Sequence, residues 1–203
     1  MKPVYIASVY RLNPGEDPDY RQYIPPMQAR RMGRLLKRTL VCAKAALAQA
    51  GVEMPDAILC GTAYGCIEPT ERILASLRDN GEGSVSPTDF MQSTHNTIAS
   101  TVAIQLGCHG YNCTYSQGRE SFTHALLDAW LQLRAGEISS ALVLQADENS
   151  ASFPTEEKAM AVVLTTFAGA VSDEYPDPAS LDAAIDTLPG FMVKPFMDEL
   201  KKM

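Results

Sequence analysis

The chain has 203 residues, five cysteines and a formal net charge of −7. Its hydrophobic share of 46% and charged share of 20% are ordinary for one globular domain with its own core. The acidic balance argues against a nucleic-acid-binding protein, because such proteins carry a basic face that meets phosphates.

No stretch approaches the roughly 20 apolar residues that span a bilayer, and the first residues lack the apolar core of a signal peptide. The cysteines are scattered without a CxxC pair, which is typical of reduced core thiols. We therefore expect a cytoplasmic protein. No metal-ligand spacing and no phosphate-binding GxxxxGK[ST] segment occurs, so neither a metal nor a cofactor is predicted.

Apolar runs and helical patterns alternate along the chain. In chain order, the patterns predict a strand over Val4–Val9, a loop over 11–28, a helix over Arg30–Ala50, a strand over Ala57–Thr62, a helix over Pro69–Arg78, a loop over Gly81–Pro87, a helix over Thr97–Leu106, a strand over Tyr111–Ser116, a helix over Ser121–Ala135, and strands over Ser140–Ala146 and Ala159–Phe167.

Strands that alternate with helices indicate βαβ units. The last two strands have no helical pattern between them, so we expect them to be antiparallel neighbours. The fold class is therefore α/β, with a five-stranded mixed, mostly parallel sheet and helices on both faces. Residues 1–168 form the predicted domain. Residues 169–203 contain four prolines and are predicted to be a tail on the domain or on a partner, with short helices over Ser180–Thr187 and Lys194–Lys202.

Several segments carry a resemblance to a known family. They are 30–34 (RRMGR), 61–65 (GTAYG), 96–100 (NTIAS), 106–112 (LGCHGYN) and 133–137 (LRAGE). Their order and spacing resemble the N-terminal half of β-ketoacyl-acyl-carrier-protein synthases, across residues 1–168. The sequence is also similar to the short ketosynthase-like proteins of aryl-polyene and flexirubin-type pigment clusters. The resemblance implies half of a thiolase-like fold and a role in fatty-acid or polyketide assembly.

The family uses a cysteine nucleophile at the start of a helix, where backbone amides hold the oxyanion. With Gly110 on the turn before it and Ala125 on the helix, an ungapped alignment puts Arg119 at the nucleophile position. A guanidinium is not a nucleophile, and the family's two catalytic histidines lie in its C-terminal half. The resemblance therefore implies a subunit that binds or scaffolds a synthase or an acyl-carrier protein without catalysis.

Neighbouring residues leave alternatives open. Gln117, before Gly118, resembles the glutamine of chain-length-factor subunits, but lies two positions early. Ser121 and His124 are spaced i, i+3 on a helix, yet no third group orients them. His124 lies off the apolar stripe of its helix, and a position facing the pocket is one alternative for it. Cys113 is expected to be a buried core residue.

A second interpretation is an enzyme with altered chemistry, a decarboxylase or acyltransferase. Arg119, Glu120 and His124 would then bind a carboxylate such as a malonyl group through charge-assisted contacts. The plain alternative is a surface ion pair of Arg119 with Glu120 or Asp128. A third possibility is a β-ketoacyl synthase by family label only. The carboxylates Asp147 and Glu148 are expected in a solvated loop, with a cation site as the alternative.

Two surfaces are predicted to meet partners. The first is the dimer edge, an uncharged strand that would be open to pairing in a homodimer or in a heterodimer with a full-length ketosynthase. It comprises Tyr111, Asn112, Cys113, Thr114 and Tyr115. The second is a basic segment that would dock an acidic acyl-carrier protein. It comprises Arg30, Arg31, Arg34, Lys37 and Arg38. No nucleic acid and no membrane span is predicted.

Overall fold

The computed structural model describes residues 3–167. The predicted tail and its two short helices lie outside the described residues. The strands are β1 (Tyr5–Leu12), β2 (Ala57–Gly61), β3 (Tyr111–Tyr115), β4 (Ser140–Asp147) and β5 (Lys158–Thr165). The helices are α1 (Pro26–Ala29), α2 (Arg34–Ala50), α3 (Ile67–Asn80), α4 (Pro87–Gln92), α5 (Thr97–Leu106) and α6 (Ser121–Ala135). Short 3₁₀ turns cover Tyr20–Gln22, Glu82–Ser84 and Gly118–Glu120.

All five strands form one sheet in the order β1-β5-β4-β2-β3. Strand β2 runs parallel to both β3 and β4. Strand β5 runs antiparallel to both β4 and β1. Four of the five strands therefore point the same way, which confirms the predicted mixed sheet and its antiparallel final pair. Strands β1 and β3 occupy the two edges.

Helices cover both faces of the sheet, as predicted. On one face, α2 and α5 share a core with the sheet, including Leu40, Val102 and Val163. On the other face, α6 packs on β2 and β4 through residues such as Leu126 and Trp130. Within residues 3–167, none of the helices combines the length and hydrophobicity that crossing a membrane requires.

Four helical details differ from the prediction. The short α1 was not predicted, and α3 extends two residues beyond the predicted Pro69–Arg78 at each end. Helix α2 begins at Arg34 rather than Arg30, because the extended Gly33 separates it from the short α1. Helix α4 was not predicted. The Ser86 hydroxyl accepts a hydrogen bond from the Asp89 amide at 3.3 Å, with proline at the first helical position. Such a cap followed by proline is a start signal that the sequence displayed.

The end of β2 lies directly against the start of α6. A Cβ atom built on Gly61 would lie 2.4 Å from Cα of Phe122, closer than any real side chain allows. Glycine at this position therefore lets α6 begin at the carboxyl end of the parallel strands, which sets the place of the candidate site.

Candidate functional site

The chain passes from β3 into α6 through a tight turn. Gly118 adopts a positive φ of 58°, a conformation that glycine takes without strain. The Ser121 hydroxyl donates to the Gly118 carbonyl at 2.7 Å and accepts from the Gln117 amide at 2.8 Å. Both roles of this hydroxyl are thus taken by the backbone, and the turn is held in one shape.

A cleft of about 640 Å³ opens beside this turn, within the range of small-molecule sites. It lies at the carboxyl ends of β2 and β4, where open α/β sheets bind ligands. Its lining includes Tyr64, Arg119, Glu120, Gln145, Asp147 and Lys158.

Arg119 is exposed and lines this cleft. Within the described part of the chain its guanidinium forms no ion pair, with Glu120 or with any other carboxylate. Asp128 is engaged elsewhere, since it accepts hydrogen bonds from the hydroxyls of Tyr111 at 2.9 Å and Tyr115 at 3.0 Å. The alternative of a surface ion pair between Arg119 and Glu120 or Asp128 is therefore wrong.

His124 lies outside the cleft, which corrects the alternative in which it faces the pocket. Its ring stacks on Tyr115 with centroids 6.3 Å apart, and its Nδ1 lies 2.9 Å from the Glu120 carbonyl. Each helical residue turns the side chain by about 100°, so Thr123 lines the cleft while His124 turns toward β3. The Ser121 hydroxyl, bound to backbone, makes no contact with His124, and the suggested pair does not form.

Both carboxylates, Asp147 and Glu148, are held by hydrogen bonds at the end of β4, while residues 149–156 of the loop that follows are largely exposed, as predicted. Asp147 is buried, and its Oδ1 accepts from the Thr62 hydroxyl at 3.1 Å and the Ala63 amide at 2.7 Å. Burial raises the pKa of Asp147, and also that of Glu148, whose Oε1 accepts from the Glu68 amide at 2.9 Å. Asp147 thus joins the ends of β4 and β2, and Glu148 contacts the first turn of α3. No carboxylate, histidine or cysteine cluster in residues 3–167 is arranged to hold a metal.

The described thiols lie on elements other than α6 and the turn before it. Burial raises the pKa of Cys42 and Cys66 to about 12 and also raises the pKa of Cys60. A protonated buried thiol is a poor nucleophile. Cys113 lies on β3 and is half-buried rather than fully in the core.

The basic segment does not form one exposed patch. Arg34 pairs with Asp17 at 2.9 Å and with Glu157. Arg38 is buried, pairs with Glu157 at 2.8 Å and donates to the Asn13 carbonyl at 2.7 Å. Residues four apart share one face of a helix, so both guanidiniums point to the same internal carboxylate. Arg34 and Arg38 therefore have structural roles.

The remaining cations of the segment differ in exposure. Lys37 lies over the ring of Tyr20, with its Nζ 5.1 Å from the centroid. Arg30 and Arg31 are exposed and form no ion pair with any described residue. Of the five basic residues in the segment, only Arg30 and Arg31 are both exposed and without an ion pair among the described residues, as the predicted docking surface requires.

Strand β3 is an open edge. Its described hydrogen-bonding partner is β2 alone. The Tyr111 amide and the Tyr115 carbonyl both point to the β2 side. Main-chain groups alternate in direction along a strand, so those of Asn112 and Thr114 point outward. On the side chains of this strand, burial and the hydrogen bonds to Asp128 raise the pKa of the Tyr111 and Tyr115 hydroxyls.

An edge strand that leads through a tight turn into a buried helix, beside a cleft at the strand ends, is the arrangement of a thiolase-like half-fold. The family described as β-ketoacyl synthase, N-terminal domain, matches residues 8–175. The chain belongs to this family. A search of curated proteins found no match.

Three solved structures illustrate the likeness. The ketosynthase ApeO in complex with its chain length factor ApeC, from Xenorhabdus doucetiae, matches with a TM-score of 0.66 and 22% identity over 83% of this chain and 81% of that chain. The ishigamide ketosynthase/chain length factor matches with a TM-score of 0.68 and 18% identity, over 80% of this chain and 62% of that chain. A third match is AntDE:AntF, a type II polyketide synthase acyl-carrier protein in complex with its hexaketide-bound ketosynthase. Its TM-score is 0.71 and its identity 13%, over 81% of this chain and 62% of that chain.

These identities show a shared fold. The chain spans less than two thirds of the matched chains in the ishigamide and AntDE:AntF structures. It has nearly the same length as the matched chain in the ApeO–ApeC complex, because similar shares of both are covered.

Proposed function

We propose that this chain is a non-catalytic ketosynthase-like subunit that pairs with a full-length ketosynthase in the manner of a chain length factor. The proposal rests on the ungapped alignment with the family, which assigns the nucleophile position to Arg119 on the turn before α6. Its side chain is exposed beside the cleft. A guanidinium cannot attack a thioester carbon, and the described thiols lie on other elements.

The pairing surface would be β3 together with α5. Strand β3 carries no charged side chain, and charged edge residues are a common protection against pairing. Helix α5 packs beside it, and Ile104 of α5 is 76% exposed. An open edge next to an exposed apolar residue favours a protein partner over solvent. Two of the similar solved structures hold a ketosynthase together with a chain length factor, which supports this choice of partner.

An acyl-carrier protein is the second proposed partner. Arg30 and Arg31 would bind its acidic surface, since both are exposed and without an ion pair in residues 3–167. The net charge of −7 opposes the approach of an acidic protein elsewhere. Docking would therefore be local and sensitive to salt.

The test is sedimentation velocity at micromolar concentration, with this chain alone and mixed with the ketosynthase encoded nearest to its gene. A 1:1 heterodimer supports the proposal. A stable monomer in the mixture, or a homodimer that excludes the synthase, overturns it.

Incubation of this chain alone with malonyl-carrier protein, followed by mass spectrometry, tests the alternative of an altered acyl-processing enzyme. We expect no turnover. Turnover that Arg119→Ala abolishes would replace the non-catalytic proposal with the enzyme.

A further inference from the structure

The two faces of the sheet are unequally covered by helices. On one face, α2 packs on β1, β4 and β5, and α5 packs on β2 and β3, so that together they contact every strand. In residues 3–167, the helix on the other face is α6, which packs chiefly on β2, β3 and β4. Five strands span roughly 19 Å from edge to edge, whereas a packed helix covers about 10 Å. The described helices therefore leave β1 and much of β5 uncovered on the α6 side.

The uncovered strands carry apolar side chains on this side, which we call the β1–β5 strip. All six belong to the core cluster that includes α6: Val4, Ile6, Val9, Met160, Val162 and Leu164. The register of β1 shifts between Ile6 and Ser8, and the Ser8 hydroxyl donates to the Ala46 carbonyl of α2 at 2.7 Å. Ser8 thus faces α2, while Ile6 and Val9 share the α6 side. Four of the six side chains are buried, so the strip belongs to the interior of the protein.

The chain leaves β5 beside this strip. Tyr5 pairs with Thr165, and Ile6 pairs with Leu164, so the residues after Thr165 start next to the first residues of β1. The twelve residues 168–179 can reach up to roughly 40 Å when extended. Strand β1, with 8 residues, is roughly 27 Å long. Any part of the strip is therefore within reach of the segment that begins at residue 180.

This segment has the sequence of a short amphipathic helix. Leu181, Ala184, Ile185 and Leu188 have the spacing i, i+3, i+4, i+7 that places apolar side chains on one face of a helix. Ser180 precedes the stripe as a residue that caps helices, and the residue after Leu188 is a proline, which does not continue one. The segment can thus supply the second helix that the α6 side of the sheet lacks among the described residues.

We propose that residues 180–188 of this same chain pack as a helix on the β1–β5 strip, beside α6, with Leu181, Ile185 and Leu188 against the sheet. A segment joined to the strip by a short linker has an effective concentration of roughly millimolar, which favours it over a second copy or another protein. With this cover in place, the α6 side of the sheet is closed to partners, and the β3 edge stays open. The inference goes beyond the pairing role and does not depend on it.

Photo-cross-linking of the full chain locates the segment. A diazirine side chain is introduced at position 185 and, as the matched control, at position 183, which the helical period places on the opposite side. Peptide mapping by mass spectrometry should show cross-links from position 185 to residues 4–9 or 160–164, and none to them from position 183. The cross-links should lie within one chain at about 1 µM and at about 50 µM alike, because binding inside a chain does not depend on concentration.

Cross-links from position 185 to α3, α4 or α5 in place of the strip would overturn the proposal. Cross-links that join two chains would assign the strip to a second copy and overturn it as well. Equal cross-linking from both positions would show that the segment has no preferred face. A chain that pairs with a synthase but gives no cross-link from position 185 to the strip fails this inference alone, and the reverse result fails only the proposed function.

Aspartate substitutions give a second test with a different readout. Trp130 is the single tryptophan of the chain, is 6% exposed and lies in the same core cluster as the strip. Ile185→Asp should remove the cover and raise acrylamide quenching of Trp130 fluorescence about threefold, whereas Ala183→Asp should leave it unchanged. Circular dichroism verifies folding, and Ile185→Ala, with a smaller increase in the same direction, replaces an Ile185→Asp chain that does not fold. Quenching that is unchanged, or that rises equally in the variants at 183 and 185, would overturn the proposal.

Discussion

Replacing Asn112 by proline should block the proposed pairing while leaving the domain folded. The main-chain amide of Asn112 points away from β2, so its loss costs no hydrogen bond inside the sheet. Proline is tolerated on an edge strand for this reason. The preceding Tyr111 already has the extended conformation that proline requires of its neighbour.

The size of the effect follows from one lost donor. A partner strand paired along β3 would lose a hydrogen bond worth about 1 kcal/mol net, and its carbonyl would be buried without a donor at a cost of about 1–3 kcal/mol. The sum of about 2–4 kcal/mol corresponds to a Kd roughly 30- to 1000-fold weaker.

The assay is the affinity for the ketosynthase, measured by sedimentation or biolayer interferometry. Asn112→Ala is the control. Both variants lose the side-chain hydrogen bond to the Ala99 carbonyl, which measures 3.2 Å, but only the proline lacks the amide. The reasoning is refuted if the proline variant, folded as judged by circular dichroism, pairs as tightly as the alanine variant.

Two further predictions concern the domain itself. Gly61→Ala should destabilise the fold by about 3 kcal/mol or more in urea unfolding, because the new Cβ would meet the α6 backbone at 2.4 Å. A Cβ at Gly83 would meet nothing within 4 Å, so Gly83→Ala should change the free energy of unfolding by no more than about 0.5 kcal/mol. Equal losses of stability in the two variants would contradict the close approach of Gly61 to α6. Burial raises the pKa of Glu157, but the Gly15 amide and the Arg34 guanidinium outweigh it and hold that pKa below its usual range. A lowered pKa contributes stability above the unfolded pKa that is lost as pH falls. The stability difference between wild type and Glu157→Gln should thus be about 2 kcal/mol at pH 7 and shrink below pH 4 or so. A stability difference independent of pH would show that the charge of the Glu157 carboxylate does not stabilise the folded state.

Local patterns were sufficient for most elements. Helices α5 and α6 have the predicted bounds, Thr97–Leu106 and Ser121–Ala135, because an apolar periodicity and a terminal glycine coincide there. Every strand was found within three residues of its predicted bounds, and β2, β3 and β4 begin where predicted. The antiparallel pairing of β4 and β5 was predicted because the segment between them has no helical pattern, whereas a parallel pair needs a crossover connection that is usually a helix.

Side-chain direction was harder to predict. The turn before α6 rotates the helix so that Thr123 meets the cleft and His124 meets Tyr115. A spacing of residues gives their relative angle on a helix, but not the absolute rotation of that helix against the sheet. The alternative of a pocket-facing His124 failed for this reason.

The sequence by itself determined the order of the elements, the mixed sheet and the place of Arg119 just before α6. These depend on local propensity and on position along the chain. The tertiary structure alone decided which charges are free. Arg38 meets Glu157 from 119 positions away, and Asp147 meets Thr62 from 85, whereas Arg119 meets no carboxylate within the described residues. Such pairings depend on how the elements pack in space, and no local pattern records them.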